Sequence, residues 1–62
     1  MNIKDIKIGN SYTIQIWDDE EPMSVKCIGK EDGCFILEGE DEEEPLLMVD
    51  VDNEFEGLKE VK

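Results

Sequence analysis

The sequence has no histidine, no arginine, only two cysteines and no apolar run long enough to span a bilayer. Each absence narrows what the chain can do. Without histidine there is no side chain that ordinarily exchanges a proton near neutral pH. Without arginine there is no bidentate clamp for an oxyanion or a phosphate. No glycine-rich phosphate loop occurs, and Ser11 and Ser24 have no activating base beside them. The abundant carboxylates fall in charged loops, where solvation makes them poor general acids. A chain of 62 residues also has little depth for a substrate pocket. An enzyme is therefore not expected, and no catalytic residue is assigned.

Metal and disulfide chemistry are similarly thin. Cys27 and Cys34 are too few for a disulfide framework, and no histidine completes a zinc site of the common kind. Asp50-Val51-Asp52-Asn53-Glu54 begins like a calcium loop, but Phe55 stands where glycine is required and Val61 where a bidentate acid is needed. The Glu40–Glu44 run offers a divalent cation charge without a fixed geometry. No cofactor and no specific metal are expected. Met1-Asn2-Ile3-Lys4 leads straight into patterned sequence, with no signal-peptide core. The expected compartment is the cytoplasm, with both thiols reduced.

What the chain does have is negative charge. Eighteen Asp and Glu against six Lys give −12. The charge is uneven: residues 1–30 hold four lysines against five acids, whereas residues 31–62 hold two against thirteen. Nucleic acid and anionic membranes are poor direct partners for such a chain, since both need basic side chains to meet their phosphates. A basic protein surface is the natural complement.

The apolar pattern argues against disorder. Tyr12-Thr13-Ile14-Gln15-Ile16-Trp17 alternates with period two, placing Tyr12, Ile14 and Ile16 on one face, and predicts a strand. Asp18-Asp19-Glu20-Glu21-Pro22 interrupts it. A second strand is expected from about Met23 to Ile28, with Met23, Val25 and Cys27 on one face. Asp32-Gly33 suits a tight turn with positive φ, and Cys34-Phe35-Ile36-Leu37 forms a third strand. Turning at Asp32-Gly33 opposes residues whose numbers sum to 65, so Cys34 faces Glu31, Cys27 faces Glu38, and the two thiols do not meet. Cys27 reads as a small core residue, and Cys34 as either a core residue or a partly exposed one. After the charged loop from Glu38 to Pro45, Leu46 to Val51 makes a fourth strand. Phe55 to Val61 is a short fifth strand or a single helical turn.

These segments describe one all-β domain over residues 1–62, a small five-stranded up-and-down meander curled into a partly open barrel. The chain resembles the SH3-like and Tudor-like small barrels. The resemblance rests on Ile6-Lys7-Ile8-Gly9-Asn10-Ser11-Tyr12 before the first long strand, Val25 to Ile28, Asp32-Gly33, and the closing segment after Asp52-Asn53. Tudor-type barrels read methylated side chains with an aromatic cage. Here Tyr12, Phe35 and Phe55 fall on core faces and only Trp17 does not, so no cage is assigned.

Two constellations carry the functional expectations. In a meander, the connections between strands one and two and between strands three and four share an end of the sheet. Asp18, Asp19, Glu20 and Glu21 should thus join Glu40, Asp41, Glu42, Glu43 and Glu44 in one acidic pole. Such a pole could present charge at the density of a nucleic-acid backbone, about one charge per 1.7 Å for duplex DNA. It could equally serve only to keep the protein soluble. The second constellation is apolar. Strands three and four are apolar on both faces, and Trp17, Ile28, Ile36, Leu46 and Met48 are expected on the outward side, opposite Leu47, Val49 and Val51. Clustered, they would form a partner or homodimer interface.

Two functions follow as expectations. One is an acidic inhibitor of the phage or mobile-element kind that blocks a basic, nucleic-acid-binding surface of a host or defence protein. The other is a small-barrel assembly module that binds through its apolar face.

Overall fold

The computed structural model describes residues 1–39 and 43–61. A single turn of 3-10 helix at Ile3–Asp5 precedes five strands, β1 (Ser11–Ile14), β2 (Met23–Glu31), β3 (Cys34–Gly39), β4 (Leu46–Val49) and β5 (Leu58–Glu60). All neighbours are antiparallel, in one sheet with the order β4-β3-β2-β1-β5. The sheet is not closed into a barrel, in keeping with the partly open form that the strand pattern implies. No helix among the described residues is long and apolar enough to cross a membrane.

The first four strands pair in chain order because their connections are hairpin-length. The β2–β3 turn is the one the sequence marks: Asp32 (φ 52°) and Gly33 (φ 76°) both take positive φ, the requirement of the turn that matches strand twist. β5 departs from chain order. Residues 50–57 carry the chain to the far edge, where Leu58 lies opposite Ile14 and Lys59 opposite Thr13. On the way, the Ile3 N–H donates to the Asn53 carbonyl (2.9 Å) and the Phe55 N–H to the Met1 carbonyl (3.0 Å). The N-terminal segment is thereby tied to the returning chain, and it contributes Ile3 and Ile6 to the core.

That core also holds Tyr12, Ile14, Val25, Cys27, Phe35, Leu37 and Leu58, with Met1, Met23, Leu46, Met48 and Phe55 packed against it. Each large apolar side chain buried in this way contributes about 1.5–3 kcal/mol. Tyr12 is fully buried, and its hydroxyl is satisfied by accepting the Lys7 N–H at 2.8 Å.

Several expected placements are corrected. β1 ends at Ile14, so Ile16 leaves the core face and is half exposed. β4 ends at Val49, and Val51 is exposed. The hairpin follows the expected register through Glu31↔Cys34 and Gly29↔Ile36, then shifts at Ile28, so that Cys27 faces Leu37 rather than Glu38. This is a β-bulge: the additional residue slips the register by one and turns Cys27, not Ile28, toward the core. The orientation of β4 is the reverse of that expected. Met48 pairs with Phe35 and Leu46 with Leu37. Cross-strand partners share a face, so Leu46 and Met48 follow Phe35 and Leu37 inward, while Leu47 and Val49 point out.

Candidate functional site

The candidate site is the end of the sheet where β1 finishes. Ile14 pairs with Met23 there, and Val25 with Gly39, one strand over. The connection 15–22 and the connection from Gly39 to Leu46 therefore leave the same end. Asp18, Asp19, Glu20 and Glu21 are exposed in the first, and Glu43 and Glu44 are exposed in the second. Glu40, Asp41 and Glu42 lie outside the described residues. Glu44 lines a hollow with Met23 and Val25, which sets it beside the end of β2 where the first connection joins that strand.

Gln15 organises the first acidic connection. Its backbone N–H donates to the Gly57 carbonyl at 2.9 Å, anchoring it to the start of β5. Its side-chain amide donates to the carbonyls of Glu20 (2.9 Å) and Asp18 (3.4 Å). The Glu20 N–H closes the turn onto the Trp17 carbonyl at 3.1 Å. With the backbone held this way, the carboxylates of the turn face water instead of bonding to their own chain.

Two further acids arrive by the route of the fifth strand. Glu54 and Glu56 line a hollow together with Gln15, Ile16 and Asp18. Glu54 is paired with the N-terminal ammonium at 3.1 Å. Neither acid was legible as part of this pole from the sequence. They reach it because β5 crosses to β1, and no local pattern encodes that step.

At the opposite end of the sheet, Lys30 forms an ion pair with Asp50 and lies over the Phe35 ring, 5.3 Å from its centroid. Lys4 pairs with Asp52 at 3.5 Å. These two lysines are engaged away from the acidic end, and the acidic connections themselves contain no lysine.

The expected apolar constellation is not gathered in the form predicted. Ile28 is half exposed at the bulge, in a hollow lined also by Ser24, Lys26, Glu38 and Val61. Ile36 is half-buried on the outward face, opposite Leu47. Trp17 is exposed, but it lies in the acidic connection beyond the end of β1 rather than on the sheet face. Leu46 and Met48 face the core, as described above. The outward apolar strip instead consists of Ile36, Leu47 and Val49, with the half-buried thiol of Cys34 opposite Val49. Cys27 is fully buried.

No protein-family profile, curated protein sequence or solved structure matches this chain.

Proposed function

We propose that this protein is a non-enzymatic acidic interaction protein whose charged end occupies a basic, nucleic-acid-binding surface of another protein. An inhibitor of the phage or mobile-element type acting on a host or defence protein fits this reading. The observation that carries it is the departure of the connections 15–22 and 39–46 from one end of the sheet, with Glu54 and Glu56, in the segment before β5, beside Gln15 and Asp18. Exposed carboxylates gathered at one end offer a basic groove the sign of charge that it is built to meet in phosphates. Long-range attraction from a −12 chain also speeds encounter with a cationic partner. Trp17, exposed within the same connection, supplies an aromatic anchor of the kind that dominates interface energetics.

Capture from lysate at low salt, followed by elution with rising salt, tests the reading. A charge-dependent complex dissociates as the Debye length shrinks, from about 10 Å at 0.1 M salt to about 3 Å at 1 M. The matching variant combines Glu40→Gln, Asp41→Asn, Glu42→Gln, Glu43→Gln and Glu44→Gln. Loss of the partner with an unchanged circular dichroism spectrum supports the reading, and full retention refutes it.

A second reading is favoured by one observation, the outward strip of Ile36, Leu47 and Val49. In that reading the domain is an assembly module, or a homodimer, joined through its apolar face, and the acids keep it soluble. Its complexes would withstand high salt, which separates it from the first.

A further inference from the structure

Of the two sheet edges, β5 is protected and β4 is not. β5 carries charged Lys59 and Glu60 in its three residues, a usual way to discourage further pairing. β4 reads Leu46-Leu47-Met48-Val49, with no charge in the strand. Its open side presents backbone as well as apolar surface. The Asp50 N–H donates to the Gly33 carbonyl at 2.9 Å. Bonded pairs alternate along an antiparallel ladder, so Met48 with Phe35 and Leu46 with Leu37 are also bonded pairs. The N–H and C=O groups of Leu47 and Val49 therefore point away from β3, toward the outer side of the sheet, where no other strand of the described residues pairs with them. The two residues are 62% and 56% exposed.

Charge indicates what such an edge selects. Exposed Glu43 and Glu44 stand just before β4, at the acidic end of the molecule. At the other end, Asp50 and Asp52 are already neutralised by Lys30 and Lys4. A second copy would bring a further −12 toward Glu43 and Glu44, so its net charge opposes the approach. A chain with Lys or Arg at that point gains opposite-charge contacts as well as backbone hydrogen bonds.

We propose that β4 accepts an extended segment of the partner as a sixth strand. The segment runs antiparallel to β4, has alternating apolar side chains that cover Leu47 and Val49, and carries basic residues at its C-terminal end beside Glu43 and Glu44. This deepens the basic-partner reading and rests on it.

Residue-resolved amide exchange by NMR tests the proposal on the full chain. The probe is a short synthetic peptide of alternating valine and threonine ending in lysines. One control has alternate backbone nitrogens methylated, which removes the donors of one peptide edge. A second control ends in glutamates. The lysine peptide should slow exchange at Leu47 and Val49 by about tenfold or more, and neither control should do so. No slowing with the lysine peptide overturns strand addition. Equal binding of the N-methylated peptide overturns strand addition too, but leaves attraction of basic partners standing. Equal protection by the glutamate peptide overturns the charge selection and, with it, the basic-partner reading. Protection at Leu47 and Val49 that rises with protein concentration, without peptide, assigns the edge to a second copy and overturns the proposal.

Discussion

Replacing Gly57 with alanine should be among the most damaging single-methyl additions to this protein. A Cβ at Gly57 would lie 2.0 Å from the Gln15 carbonyl oxygen and 2.7 Å from Cε1 of Phe55. Flexible side chains give way cheaply, but the closest obstacle here is backbone. Restoring an ordinary contact requires the two chains to part by about 1 Å, which costs roughly 1–3 kcal/mol in overpacking. The same movement breaks the 2.9 Å bond from the Gln15 N–H to the Gly57 carbonyl, for about 0.5–1.5 kcal/mol more. The sum, about 1.5–4.5 kcal/mol, is large beside the roughly 3–9 kcal/mol that a chain of this size has in total. At about 4–8 °C per kcal/mol, the midpoint of thermal unfolding should fall by roughly 10–30 °C. Gly29→Ala is the control, because its added methyl meets only Cδ1 of Ile36, at 4.0 Å, and should change stability by about 0.5 kcal/mol or less. Thermal and urea unfolding followed by circular dichroism measure both. A Gly57→Ala protein that melts within a few degrees of the parent would refute the close approach of β1 and β5, and with it the route that brings Glu56 to the acidic end.

Tyr12→Phe keeps the ring but strands the Lys7 N–H that now donates to the hydroxyl; a loss of about 1–2 kcal/mol is expected in urea unfolding, and an unchanged midpoint would show that water replaces the hydroxyl. The thiols should differ in reactivity under native conditions. Cys34, half-buried on the outward face, should react with a thiol reagent, whereas Cys27, with no exposure, should react only when the chain opens. Mass-resolved labelling distinguishes them, and equal rates would contradict the inward turn at the bulge.

Much of the fold is written locally. The alternation around Tyr12 and Ile14, the interruption ending at Pro22, and Asp32-Gly33 between two apolar runs are short-range signals; each marks an element that forms, although the first strand stops at Ile14 rather than continuing to Trp17. Neighbouring strands joined by such connections pair in chain order, which was enough to bring the two acidic connections to one end of the sheet. The alternation could not orient β4, because four consecutive apolar residues carry no period-two information; the register with Phe35 and Leu37 decided that Leu46 and Met48 face inward. The slip at Ile28 was equally hidden. A bulge adds no residue type of its own, and here it shows only in the change from Gly29↔Ile36 to Cys27↔Leu37.

Local sequence specified the class of the fold, the approximate places of the first four strands, the hairpin turn and the surplus of negative charge, since propensity, periodicity and composition act over a few residues. Tertiary structure alone decided that β5 joins β1 and that Gln15 clips the acidic turn. It also decided that Glu54 and Glu56 reach the same end and that β4 remains an open edge. These depend on contacts between segments some forty residues apart, such as Ile14 with Leu58. Such contacts form because the assembled core buries both partners together, and nothing in either segment's local pattern requires them.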